Sequence, residues 1–183
     1  MELRWPGEQE LPSYVAALER GWSPSTVRAE LAADELESIR LDPIAFLTSL
    51  VDREGSGPAV VQPDGSTMPR IPGYRKWMWD GEFCGSISLR WVPGTAELPS
   101  HVLGHVGYSV VPWKRRLGYA TAAVGLVLDD AREEGLEWVE LTTELDNVGS
   151  RRVIEANGGE LVGPYPYGEA YQRSDGVRYR ITL

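Results

Sequence analysis

The chain has 183 residues, 42% of them hydrophobic and 25% charged, and a formal net charge of −9; that is enough for one well-buried core at the usual size of a single domain. One cysteine, Cys84, excludes a disulfide framework and a cysteine-built metal site, and the acidic balance argues against general nucleic-acid binding. The opening MELRWPGEQELPSY has neither a basic nor an apolar leader segment, and no run of about 18 apolar residues follows, so the expectation is one cytoplasmic domain over residues 1–183 with no metal, membrane or nucleic-acid partner.

In chain order, the first third predicts helices. PSYVAALERG places Tyr14, Val15 and Leu18 at helical spacing and closes at Gly21. SPSTVRAELAADELESIRL and DPIAFLTSLVDREG follow, with Ser25 and Asp42 as expected capping residues and Pro43 in the first turn of the second. The Gly/Pro-dense stretch from Gly55 to Gly73 predicts a long connection with a short AVVQ strand and a PDGS turn. YRKWMWDGEFCGSISLRWV predicts two strands joined at Asp80-Gly81, a two-residue hairpin signal.

A second loop, Pro93 to Gly104, leads to the strand HVGYSVV. A helix, the strand WVELTTEL, a short helix in NVGSRRVIEANGG, and strands near GELVGPY and GVRYRITL complete the order. An antiparallel meander followed by a strand-helix-strand crossover predicts an α/β fold. Its central sheet is mixed and mostly antiparallel, with one parallel strand pair and helices on both faces.

The junction VVPWKRRLGYA carries the chemistry. A strand ends at Pro112, three cations (Lys114, Arg115, Arg116) follow, and Gly118 opens a helix. The first amides of a helix have no internal partner and favour an anion before them. Cations there oppose the helix dipole unless an anion joins them, and guanidinium groups suit phosphate oxygens. The pattern is neither a Walker loop nor a dinucleotide fingerprint. An anion cradle and a solvated loop tip are the two readings the residues leave open.

Arg115-Arg116-Leu117-Gly118-Tyr119-Ala120 resembles the Arg/Gln-x-x-Gly-x-Gly/Ala signature of the GNAT N-acetyltransferase superfamily. GHVGYSVVP before it and DNVGSRRVIEANGG after it are similar to the segments that flank this signature in the ribosomal-protein-acetylating branch, and the stretch from GSISLR to NGG also resembles bacterial acetyltransferases of unassigned substrate. The resemblance runs from about Gly81 to Val162, with a cofactor-binding core over about 82–162.

It implies a splayed parallel strand pair holding the pantetheine arm of acetyl-CoA near Ser109, Val110 and Val111. The pyrophosphate would lie on the amides of Arg116, Leu117, Gly118, Tyr119, Ala120 and Thr121, beside Arg115. Asn147 would contact the arm, cap the next helix, or do both. No metal is implied.

Acetyl transfer to an amine needs a deprotonated nucleophile, a donor for the oxyanion and a proton for the thiolate. The resemblance implies direct attack in a ternary complex, with the Val110 amide as oxyanion donor. Ile154 stands where many superfamily members place a proton-donating tyrosine; Ser150 matches the serine of the ribosomal-protein-acetylating branch and is the candidate acid or orienting group. His105, Tyr108 and Glu144, with Glu82 across the hairpin, are the titratable residues nearest the expected cleft. His105 and water relayed by Glu144 are the candidate bases. Cys84 reads as a small core residue.

The aromatics of YRKWMWDGEF and Trp91 would wall an acceptor pocket or pack the core, and Asp80 and Glu82 would attract a cationic amine. The two long loops are where substrate choice would reside. The expected activity is N-acetyl transfer from acetyl-CoA to a small-molecule or peptide amine. The other class is an acyl-CoA-binding sensor without turnover. A homodimer is the superfamily's expectation.

Overall fold

The computed structural model describes residues 1–25, 30–61, 65–167 and 175–183. Its strands are β1 (Glu2–Arg4), β2 (Val51–Asp52), β3 (Val60–Val61), β4 (Thr67–Met68), β5 (Gly73–Trp79), β6 (Phe83–Arg90), β7 (Val106–Val110), β8 (Trp138–Glu144), β9 (Glu160–Tyr165) and β10 (Gly176–Thr182). The helices are α1 (Leu11–Glu19), α2 (Leu31–Leu41), α3 (Pro43–Ser49), α4 (Tyr119–Glu133) and α5 (Val148–Glu155). One sheet runs β1-β5-β6-β7 with β2 also on β5, a second runs β8-β10-β9, and β3 pairs with β4.

Strand alternation explains why helices lie on both faces. On β5, Trp77 and Trp79 enter one apolar cluster with Leu11, Tyr14 and Leu18 of α1, while Tyr74 and Met78 enter the other with Val124, Val127 and Leu128 of α4. Tyr14 stacks on Trp77 at 4.6 Å between ring centroids and 12° between planes, a geometry that adds about 0.5–1.5 kcal/mol to the burial itself. Lys76 Nζ reaches Asp130 of α4 at 2.6 Å and Tyr74 donates to the same carboxylate, fixing α4 to the sheet.

Asp42 caps α3 as expected, accepting from the amides of Ile44 and Ala45 at 3.1 and 2.9 Å, with Pro43 in the first turn. The described helix α2 begins at Leu31 behind Glu30, and residues 26–29, which Ser25 would cap, lie outside the described residues. The Asp80-Gly81 hairpin forms, but Glu82 joins the turn, because the register shifts at Met78/Trp79 and the Asp80 amide bonds Glu82 O. The AVVQ strand appears as β3; the PDGS turn lies partly outside the described residues. Strand β1 is not legible in the sequence pattern; it pairs Glu2, Leu3 and Arg4 with Trp79, Met78 and Trp77.

The expected parallel pair, β7 and β8, is held without a ladder. His105, just before β7, donates its amide to Glu140 O (2.7 Å), and the Glu140 amide returns to His105 Nδ1 (2.9 Å). Farther along, Tyr108 reaches Ser150 of α5, which starts just beyond the end of β8. Both strands therefore advance in the same sense, joined near their starts and separate beyond. Every ladder in both sheets is antiparallel.

Candidate active site

The gap between β7 and β8 is lined by main chain that β6 does not use. Arg90 N donates to His105 O and Val111 N to Cys84 O, both at 3.0 Å, and Gly85 lies opposite Val110. In an antiparallel ladder, bonded pairs alternate with pairs whose main-chain groups turn outward. The odd residues of β7 thus bond β6, while Val106, Tyr108 and Val110 turn their main-chain groups toward the gap. Arg115 Nε donates to Val110 O at 3.3 Å, so the Val110 amide is the group left facing it.

Val111 is a correction to the sequence reading. Its amide is given to Cys84 O, its carbonyl accepts from Lys114 N, and its side chain is fully buried, so it has no N–H or side chain to offer a ligand.

Beyond Val111 a single turn at Pro112–Lys114 leads into the cradle, and the first bond of α4 is Ala122 N to Gly118 O at 3.0 Å. The amides of Arg116, Leu117, Gly118, Tyr119, Ala120 and Thr121 precede that bond and point out of the helix start. Two of these residues sit at positive φ, Arg116 at 64° and Gly118 at 79°. A left-handed arginine costs about 1–2 kcal/mol, strain of the kind that collects at ligand clamps. A Cβ on Gly118 would meet nothing within 4 Å, so glycine serves the backbone angle and leaves space in front of the amides.

Arg115 and Arg116 are exposed, and among the described residues neither has a carboxylate partner. Lys114 does not join them. Its ammonium lies 2.9 Å from Asp80 and 2.8 Å from Glu82, which hold its pKa above the usual range. Tyr119 Oη and Lys114 Nζ also hold the Asp80 carboxyl well below the usual carboxylate range, with Tyr119 donating at 2.6 Å. Asp80 and Glu82 therefore lock the β5–β6 turn to the loop; they are not free to attract an amine.

Asn147 caps α5, its Oδ1 accepting from Ser150 N at 3.0 Å. The Ser150 hydroxyl is not spent within its own helix: Oγ lies 2.7 Å from Tyr108 Oη. Burial pushes the Tyr108 phenol up to about 12, so it is protonated at neutral pH. Tyr108 thus brings a phenol beside α5, where Ile154 cannot, being buried in the core. Glu144, half-buried at the end of β8, shares by alternation the face of Thr142, which lines the cavity described below.

His105 is not a base in the cleft. It is fully buried at the closed end of the strand pair, its Nδ1 accepts from Glu140 N, and burial lowers its pKa to about 4. Cys84 is likewise fully buried, its thiol pushed up to about 12 by burial, in agreement with a core role.

On the sheet face opposite α4 lies a cavity of about 510 Å³. Its floor includes Ser86, Ser88 and Arg90 of β6 with Gly107 and Tyr108 of β7. Residues of both long loops close it, among them Pro69–Ile71 and His101–Gly104. Trp77, Trp79 and Trp91 pack the core and do not wall it. Among the described residues no group of His, Cys, Asp and Glu is placed to hold a metal ion, and no helix is long and apolar enough to cross a membrane.

The family described as acetyltransferase (GNAT) domain matches residues 66–160. No curated protein matches the sequence. Among solved structures, the microcin C7 self-immunity acetyltransferase MccE, in complex with acetyl-CoA and AMP, superposes with a TM-score of 0.63 at 12% identity, over 99% of this chain and 91% of that one. RimL, a ribosomal L7/L12 α-N-protein acetyltransferase in complex with coenzyme A, gives 0.63 at 13% identity, over 99% and 93%. A point variant of the spermidine N-acetyltransferase SpeG from Vibrio cholerae gives 0.58 at 15% identity, over 100% and 95%. At these identities the likeness is one of fold.

Proposed function

Because the chain belongs to the GNAT acetyltransferase family, we propose that it moves an acetyl group from acetyl-CoA to a primary amine of a small molecule or peptide by direct attack in a ternary complex. The observation that carries this reading is the continuity of the gap and the cradle: the outward Val110 amide lies on the same strand-loop-helix path as the unspent amides from Arg116 to Thr121. Their geometry fits an extended amide-bearing arm ending in a pyrophosphate.

Acetyl-CoA supplies the activated acetyl group; the rest falls to this chain. Arg115, Arg116 and the helix start bind the phosphates. The Val110 N–H meets the acetyl oxygen as it gains charge. As the amine nitrogen bonds to the acetyl carbon and the carbon–sulfur bond breaks, Tyr108 Oη gives its proton to the departing sulfur, and Ser150 Oγ orients that phenol and stabilises its anion. The acceptor enters from the cavity and loses its proton to water, with Glu144, on the face of β8 that carries Thr142, as the candidate relay. Positioning in this space accounts for much of the expected rate.

The alternative is acyl-CoA binding without turnover, favoured by the aliphatic Ile154 at the position expected for tyrosine. One experiment separates the two: titrate the protein calorimetrically with acetyl-CoA, then follow free-thiol release over a panel of amines. Amine-dependent release establishes the enzyme, binding without release from any amine selects the sensor, and absence of binding overturns the cradle.

A further inference from the structure

Two arginines enter the cavity from adjacent strands, and they differ in one respect. Arg75 of β5 is neutralised: Nη1 lies 2.8 Å from Glu35 Oε1 and 3.3 Å from Tyr14 Oη, and Tyr14 in turn donates to Glu35. Among the described residues Arg90 of β6 has no carboxylate partner. Its only side-chain hydrogen bond among the described residues is from Nη2 to Ser88 Oγ at 3.0 Å. Burial weighs against its charge, and the neighbouring Arg75 adds repulsion. Arginine does not shed its proton in response, so the cavity floor holds a cation whose compensation the described residues do not supply.

The backbone makes room for that cation. A Cβ on Gly107 would lie 3.0 Å from Arg90 Nη2 and 3.5 Å from Ser88 Oγ, so the absence of a side chain at Gly107 lets the guanidinium lie over β7, beside the path an acceptor takes to Val110. A third arginine, Arg70, is held at the rim by Pro58 O at 3.0 Å and stands 3.8 Å from Asp52. Arg90 keeps donors beyond the one it gives to Ser88 among the described residues.

We propose that the acceptor is an amine that also carries an anionic group, a carboxylate or a phosphate, received by Arg90, whose Nη2 is held by Ser88 Oγ, while the amine points to the Val110 end of β7. This rests on the acetyl-transfer reading of the same site. The span is set by the strand: Gly107 and Val110 are three residues apart, about 10 Å in extended chain, so the anion sits several bonds from the nitrogen. A free α-amino acid is too short to reach both, whereas a dipeptide or an aminoalkyl phosphate spans much of the distance.

The test compares matched pairs of acceptors: a dipeptide and its C-terminal amide, and 5-aminopentyl phosphate and 5-aminopentanol. Wild-type protein should show kcat/KM about a hundredfold higher for the anionic member of one pair or both, as expected of a charge-assisted, bidentate contact; which pair responds separates carboxylate from phosphate. Arg90→Gln should abolish that preference, bringing kcat/KM for the anionic member down to that of its neutral partner, while leaving acetyl-CoA affinity within twofold. Gly107→Ala, which keeps the charge but pushes the guanidinium aside, should reduce the preference without removing a donor.

Equal kcat/KM within both pairs in the wild type overturns the proposal even if acetylation is established. If no amine is turned over, the acetyl-transfer reading fails, and calorimetric titration with the N-acetylated dipeptide and its amide still decides the site. Binding of the carboxylate form alone, lost in Arg90→Gln, sustains an anion subsite, and equal binding of both forms ends it.

Discussion

The hydroxyl of Tyr108, on the strand before the Arg115–Gly118 loop, lies 2.7 Å from the hydroxyl of Ser150, on the helix after the next strand. This contact spans the gap between β7 and the segment that follows β8, which β7 and β8 leave free of any ladder. If Tyr108 is the proton donor, Tyr108→Phe should lower kcat by about a hundredfold, the lower end of what general acids contribute. Acetyl-CoA affinity should stay unchanged, because the cradle is elsewhere. Ser150→Ala keeps the phenol and should cost about tenfold. Steady-state kinetics with calorimetry on both variants checks this; a Tyr108→Phe enzyme with wild-type kcat removes Tyr108 from the mechanism.

Gly118 sits at φ 79° with open space where a side chain would go. Asn and Asp are the side chains that best tolerate the left-handed region, so Gly118→Asn and Gly118→Asp should both fold, with a melting temperature within about 8 °C of wild type for a loss of about 1–2 kcal/mol. They differ in charge. Asp should abolish measurable CoA binding, and Asn should weaken it by about tenfold. Equal, unchanged affinity in two folded variants refutes the cradle.

Asp80 connects the hairpin turn to the loop through Tyr119 and Lys114. Asp80→Asn removes the charge both partners use and leaves Lys114 with Glu82 alone. Its partners are near the surface, so global stability should change by less than about 1 kcal/mol. The loop should loosen: amide exchange from Arg115 to Tyr119 should speed up and the Kd for CoA should rise severalfold. Unaltered exchange in those amides would show that the turn does not support the cradle.

The strand-helix-strand order, the Asp42 and Asn147 caps and the Gly118 turn were legible because each depends on local chemistry. Strand β1 was not: Glu2-Leu3-Arg4 is too short to show a period, and it is a strand because β5 offers an open edge. The left-handed Arg116 has no sequence signal, since that conformation is rare for arginine. Lys114 looked like a third phosphate ligand in the sequence, and only the folded hairpin brings Asp80 and Glu82 to it. His105 and Arg90 show the same limit from opposite sides: a histidine at a strand start is a buried clamp, and an arginine in GSISLR is a cavity cation with no carboxylate partner among the described residues. Partners across strands decide both roles, and a single sequence does not display them.

His105 carries the last prediction, a pH dependence. Burial favours its neutral form and lowers its pKa from 6.5 to about 4, so between those values the unfolded chain binds more protons than the folded one. Stability must then fall as pH drops: the contribution is fully present above about 6.5 and is lost progressively down to about 4. His105→Gln offers an amide oxygen to Glu140 N but no titrating group. Its stability should therefore be lower than wild type at pH 7.5, where the packing against Trp138 is disturbed, and should decline less steeply from pH 6.5 to 4. Urea unfolding across that range measures the two slopes. Parallel curves would mean that His105 titrates alike in the folded and unfolded chain, which a fully buried ring bonded to Glu140 N does not allow.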